Sequence, residues 1–237
     1  MSPVIVIFGA GTGLGASLVH RFGCEGFRIA LVARRPGRLE ELARSLASDG
    51  IEAAAFPADL ADPAGVPALV TRIRDHFGRI DVVEYSPVAM TTMPRPAREL
   101  TTDRLGELLN LFTLTPVAIV RAVLPEMTAC GDGAILVTHG FTAARPVPGM
   151  SGLGVAGAAT PNYLYALHGE VAPLGAYVGT LTVGAVIAGS EGHDSFEGAS
   201  LPPGITVVEP DQLADIYWDM YRSRDRVEES WPPEPSA

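Results

Sequence analysis

Four glycines, Gly9, Gly11, Gly13 and Gly15, stand at alternate positions between an apolar run, Val4 to Phe8, and a helical pattern through Leu14, Leu18 and Phe22. Glycine lets a backbone turn sharply and come close to a phosphate, and the helix that follows offers unpaired N–H groups and a positive dipole end. With Thr12 and Leu14 between them, these residues read as a cradle for the pyrophosphate of a dinucleotide. The same glycines would also serve a plain strand-to-helix turn.

The second group lies where the next strand ends. NAD-binding sites place a carboxylate there for the ribose 2′-hydroxyl. This chain has Ala33 followed by Arg34 and Arg35. Guanidinium groups suit a 2′-phosphate through charge-assisted, bidentate hydrogen bonds, so NADP(H) is expected over NAD(H). Two arginines before a helix also serve as solvated surface. Asp59 and Leu60 close the third strand, where a carboxylate can accept from an adenine amino group or cap a turn.

Acid–base candidates are few. His139 ends the fifth strand, and its unperturbed pKa lies near neutrality; it reads either as a proton donor or as a structural imidazole. Tyr85 and Ser86 end the fourth strand, within reach of a substrate or packed against core and cofactor. Arg145 has the charge for an acidic substrate and equally the character of a solvated loop residue. Tyr163 and Tyr165 read as core or interface residues. His193 and Asp194 make no metal-ligand pattern, and no metal is expected.

The elements that must hold these groups alternate. Strands are expected at Val4–Phe8, Phe27–Ala33, Ile51–Phe56, Ile80–Tyr85, Ala134–His139 and Ala176–Val183. Helical patterns lie at Arg38–Ser48, Val66–Phe77 and Thr102–Met127, the last interrupted by Pro116. Short apolar strands alternating with helices imply one Rossmann-like, doubly wound parallel β-sheet flanked by helices on both faces. Residues 1–230 are expected to form a single domain and residues 231–237, WPPEPSA, a loose tail. Glu191 to Gly204, rich in Gly, Ser and Pro, reads as a loop or lid over the site.

Bulk properties exclude several functions. The 237 residues carry a net charge of −10, which argues against nucleic acid or an anionic membrane as partner. No unbroken apolar run reaches the roughly 18 residues of a membrane span. The N-terminus shows no basic, signal-like region, and two cysteines without metal spacing fit a reduced, cytoplasmic protein.

Several motifs together resemble the short-chain dehydrogenase/reductase family over nearly the full length. They are Gly9-x3-Gly13-x-Gly15, the segment ALVARRPGRLEEL, Asp59-Leu60 and Ile80-Asp81-Val82. VLPEM at Val123–Met127, GAILV from Gly133 and PVPG at Pro146–Gly149 complete the set. The resemblance implies a nicotinamide cofactor over the carboxyl ends of the strands, a small-molecule substrate beside it, and a homodimer or homotetramer. It also implies a catalytic Asn, Ser, Tyr and Lys.

Here the chain departs from the family. Counting from the nearest motifs, the four positions fall on Phe112, Gly140, Leu153 and Gly157, and Asn110 would be turned roughly 200° away on a helix. The family's Asn-Asn-Ala-Gly reads Tyr85-Ser86-Pro87-Val88, and its Pro-Gly after the sixth strand reads Val183-Gly184. The helix expected to carry Tyr and Lys contains SGLGVAGAAT at Ser151–Thr160, without an ionisable side chain, and all 17 basic residues of the protein are arginine. That helix either runs through Pro161 or begins at Thr160-Pro161; the longer form is favoured.

The expected function is therefore NADP(H)-dependent hydride transfer by an atypical active site. A non-redox isomerase or cyclase holding NADP beside an apolar pocket, and a catalytically silent nucleotide-binding homologue, are the alternatives.

Overall fold

The computed structural model describes residues 2–87, 95–194 and 206–233. Val88, residues 195–204 of the expected loop and residues 234–237 of the expected tail lie outside the described residues.

Seven parallel strands form the central sheet. In chain order they are β1 (Val4–Phe8), β2 (Arg28–Ala33), β3 (Ala53–Pro57), β4 (Val82–Tyr85), β5 (Gly133–Gly140), β6 (Ala176–Val183) and β9 (Glu228–Trp231). They lie side by side as β3-β2-β1-β4-β5-β6-β9. A short parallel pair, β7 (Ala185–Ile187) with β8 (Thr206–Val208), stands apart.

Both faces are buried, which is why β1 can be apolar at every position. One face packs against α1 (Leu14–Cys24), α2 (Pro36–Ser48) and, after the four-residue α7 (Glu191–Asp194), α8 (Pro210–Ser223). The other packs against α3 (Val66–Phe77), α5 (Thr115–Cys130) and α6 (Leu153–Val171). This is the expected Rossmann-like architecture.

The long helical region carries more detail than its sequence pattern. It comprises α4 (Thr102–Leu109), a π-helical turn at Asn110–Leu114 and α5, with Pro116 in the first turn of α5. By length and composition the run Thr102–Cys130 is apolar enough to cross a membrane, although no unbroken apolar stretch is that long. Its buried side chains Ile119, Val120, Val123 and Met127 belong to the core beneath the sheet.

The wide π turn brings two helices together through hydroxyls. Thr113 Oγ1 donates to the Ala156 carbonyl at 2.7 Å, and Thr160 Oγ1 donates to the Phe112 carbonyl. Thr115 Oγ1 donates to the Leu60 carbonyl at 2.8 Å, tying α5 to the loop after β3. The longer form of α6 is the one found, with Pro161 inside it. Gly154 is needed there, because a Cβ at that position would lie 2.6 Å from the Thr142 carbonyl oxygen.

One expectation is corrected. Trp231, placed in the loose tail, closes the sheet: it pairs with Val183, and its carbonyl accepts from Gly184 N at 2.7 Å. The ladder is local to Thr180–Val183 and its four partners, too short to leave a periodic signal beside the prolines that follow.

Candidate active site

The strand order reverses between β1 and β4. A cavity of about 330 Å³ lies at the carboxyl ends of the strands there, where open α/β sheets bind ligands. Every residue expected to hold the cofactor lines it except Gly13: Gly9, Gly11, Thr12, Leu14, Gly15, Arg34, Arg35, Asp59 and Leu60. Gly13 is covered by Ser190, whose Cβ would lie 2.9 Å from a Cβ added at Gly13.

The glycines have specific tasks. Gly9 has φ +115°, and an added Cβ would lie 2.9 Å from Pro87 N and 3.0 Å from the Ser86 carbonyl carbon. A Cβ at Gly15 would lie 2.6 Å from the Gly9 carbonyl oxygen, so glycine permits α1 to start this close to β1. Gly9 N and Ala10 N both donate to the Val32 carbonyl, at 2.9 and 3.0 Å, fixing the loop to β2. The helix N-cap, Gly13, supplies no side-chain hydrogen bond, and the first turn carries no acid. No side-chain cap or first-turn carboxylate therefore competes with an anion for the leading N–H groups of α1.

Arg34 makes no hydrogen bond or ion pair among the described residues and faces the cavity. Arg35 is ion-paired with Glu191, and Arg38 stands 4.0 Å from the same carboxylate. Asp59 Oδ1 accepts from Ala61 N at 3.0 Å, so one oxygen serves the turn.

A group not singled out from the sequence lies at the cavity floor. Glu84, in the middle of β4, is fully buried among apolar strands. The Ser86 hydroxyl lies 2.9 Å from one of its carboxyl oxygens and the Thr138 hydroxyl 3.0 Å from the other. Thr138 in turn bonds the buried Tyr217 hydroxyl at 2.6 Å. Ser86 and Thr138 both line the cavity, so the chain of hydroxyls connects the carboxyl to it. Burial raises the Glu84 pKa from 4.5 to about 8, outweighing the two hydroxyls, which favour ionisation. At neutral pH it is a carboxylic acid, giving its proton to one hydroxyl and accepting from the other.

The three acid–base candidates separate. Ser86 lines the cavity. Tyr85 turns the other way, is 4% exposed, and donates its hydroxyl to the Leu111 carbonyl; burial holds its phenol well above the usual range. Adjacent residues of a strand face opposite sides, so Thr138 reaches the cavity and His139 does not. His139 instead meets Thr180 Oγ1, at 3.1 Å from Nδ1 and 3.0 Å from Nε2. Burial lowers its pKa to about 4 despite nearby Glu228, so at neutral pH it has no proton to release as an imidazolium. Of the readings left open for these two residues, Tyr85 is the one packed against the core and His139 the buried imidazole held by Thr180, and neither lines the cavity.

Beyond His139, Glu228 accepts from Thr182 Oγ1 at 2.9 Å and from Tyr165 OH at 2.5 Å. Tyr163 is half-buried against the core. Positions 112, 140, 153 and 157 hold Phe, Gly, Leu and Gly, with Gly140 exposed at the end of β5 and Gly157 buried in α6. Within the described residues no group of three or more His, Cys, Asp or Glu could hold a metal.

A parallel sheet in this order, with the cavity at its switch point and a glycine-lined helix start facing it, defines the Rossmann class of α/β proteins. Residues 3–193 match the short chain dehydrogenase family model, and the chain belongs to that family of oxidoreductases. It is 26% identical over 226 residues to the 1-deoxy-11-beta-hydroxypentalenate dehydrogenase of Streptomyces arenae, covering 90% of this chain and 77% of that one. It is also 26% identical over 222 residues to a sulfoacetaldehyde reductase of Chromohalobacter salexigens, covering 91% and 86%. Among solved structures, L-sorbose reductase from Gluconobacter frateurii, complexed with NADPH and L-sorbose, superposes with a TM-score of 0.84 at 25% identity, covering 97% and 94%. NAD+-bound xylitol dehydrogenase, at 19% identity and a TM-score of 0.85 over 96% of each chain, shares the fold.

Proposed function

We propose that the protein is an NADP(H)-dependent oxidoreductase with an atypical active site, moving hydride to or from a small organic substrate. The observation that carries the reading is Arg34: a guanidinium at the end of β2, facing a glycine-lined cavity, where an NAD site would have a carboxylate. Relatives in complex with NADP(H) agree with it.

The bound dinucleotide would supply or accept the hydride. The chain's own groups divide the remaining work. Backbone N–H groups of the glycine loop and of the first turn of α1 hold the pyrophosphate. Arg34 takes the 2′-phosphate, and Asp59 the adenine amino group through its second oxygen. Ser86 and Thr138 present hydroxyls oriented by Glu84. No lysine exists to lower a phenol's pKa, and Phe112, Gly140, Leu153 and Gly157 transfer no proton. General acids typically contribute about a hundred- to ten-thousand-fold in rate. A substrate that accepts hydride without an acid, such as an iminium carrying its own charge, needs none of those four; one that must be protonated would draw on Ser86 and Thr138, whose hydroxyls connect the cavity to the Glu84 carboxyl.

Arg34→Ala is expected to weaken NADPH binding by about 1.5–3 kcal/mol, the worth of a hydrogen bond to a charged group, and to leave NADH binding nearly unchanged. Calorimetric titration with the two cofactors measures both. Equal losses would remove the 2′-phosphate role.

The non-redox reading, an isomerase or cyclase holding NADP, starts from the absence of ionisable side chains at those same four positions, none of which lines the cavity described above. It requires product to form with no loss of nicotinamide absorbance, whereas the oxidoreductase reading requires the two to change together. A silent homologue would bind cofactor and turn over nothing. We also infer a homodimer or homotetramer, supported by Leu114 and Val155, both about half exposed beside α5 and on α6. A monomer mass by light scattering would remove that assignment.

A further inference from the structure

Glu191 is 156 residues away from Arg35 in sequence and meets it across the mouth of the cavity. The segment leading to it is seated on the glycine loop. Ser190 covers Gly13, with its Cα 3.2 Å and its N 3.3 Å from where a Cβ would stand. The Ser190 hydroxyl is held by the Ile187 carbonyl at 2.7 Å and itself caps His193 N at 3.1 Å, so the carboxylate is presented from an ordered turn. Glu191 lines the same cavity as Arg34 and Arg35, and its second guanidinium neighbour is Arg38 at 4.0 Å.

We propose that Glu191 is a specificity-determining residue for the cofactor, acting as an internal competitor of the 2′-phosphate. Resting on the NADP(H) reading above, this assigns the Arg35–Arg38 pair a resident anion. A 2′-phosphate reaches those guanidiniums by displacing the Glu191 carboxylate. A cofactor with a bare 2′-hydroxyl makes no such demand and binds beside the intact ion pair. The carboxylate thus narrows the preference for NADP(H) that the arginines create.

The magnitude follows from exposure. The side chains of Arg35 and Arg38 are 57% and 56% exposed and that of Glu191 35%, so solvent screens the pair, and its loss is expected to be felt as a factor of up to about five in affinity. Glu191→Gln keeps the shape and removes the charge.

The test is calorimetric titration of wild type and Glu191→Gln with adenosine 2′,5′-bisphosphate, 5′-AMP, NADPH and NADH at low and high salt. The expected result is tighter binding of the two 2′-phosphate ligands to the variant, by a factor of up to about five, with 5′-AMP and NADH unchanged. That gain should shrink as salt rises. Unchanged affinity for the 2′-phosphate ligands, or weaker binding of NADH, would overturn the proposal; the latter would make Glu191 a partner of the ribose hydroxyl. Failure of both proteins to bind any of the four ligands would instead sink the nucleotide-binding reading beneath it.

Discussion

Glu84→Gln is expected to abolish a fall in stability that the wild-type protein undergoes between about pH 6.5 and pH 8. Glu84 titrates near 8 in the fold and near 4.5 in the unfolded chain, so between those values the folded state binds more protons. Stability then declines as pH rises, by about 1.4 kcal/mol per pH, until the folded-state value is passed. Over the whole window the loss amounts to about 5 kcal/mol, the cost of burying an ionised carboxylate with two hydroxyls for company. His139 works in the other direction. Its folded value near 4 lies below the ordinary 6.5, so its contribution is present above 6.5 and is lost as pH falls toward 4. Between 4.5 and 6.5 the two slopes oppose one another, and wild type should show a plateau there. Gln at position 84 can accept from Thr138 and donate to Ser86, keeping the network while removing the charge. Urea midpoints across pH should therefore rise from pH 4 to about 6.5 and stay flat above it in the variant. A variant that loses as much stability as wild type on the alkaline side would show that Glu84 is not the group responsible.

The second large effect concerns the glycine loop. Gly9→Ala meets two separate penalties: a side chain at φ +115°, and a Cβ 2.9–3.1 Å from the backbone of Ser86 and Pro87. Strain of that kind costs roughly 1–3 kcal/mol, and overpacking against atoms that cannot give costs about as much again. A loss of about 3–5 kcal/mol is expected, with cofactor affinity reduced in whatever protein still folds. Gly26→Ala is the control. Its φ of +87° is unfavourable for alanine, but a Cβ there meets nothing within 4 Å. It should cost only about 1 kcal/mol and leave binding alone. Equal penalties at the two positions would mean that the contact with Ser86 and Pro87 is softer than the geometry implies.

Much of this site was legible because its signals are local. The apolar run of β1, the glycines after it and the arginines after β2 lie within 35 residues of the N-terminus, and each acts through its own backbone or its own strand end. Three features were hidden for distinct reasons. Glu84 sits in the run Val82-Val83-Glu84-Tyr85, where a charged residue in a strand buried on both faces was the available sign. Which face a residue at a strand end takes depends on register with its neighbours. Thr138 and His139 are adjacent, yet one faces Glu84 and the cavity, the other Thr180. Glu191 reaches Arg35 only because the chain returns over the cavity after β6 and β7, a long-range closure that no periodicity encodes.

The contact between Gly15 and the Gly9 carbonyl has a thermodynamic consequence. The loop is fixed by the same packing that joins α1 to β1, and by two hydrogen bonds to β2 that form as the sheet forms. Its conformational entropy is therefore lost during folding, and a phosphate arriving later finds the donors already preorganised. Affinity and stability become separable quantities in this protein. A substitution in the distant core can lower the amount of folded chain while each folded molecule binds as tightly as before.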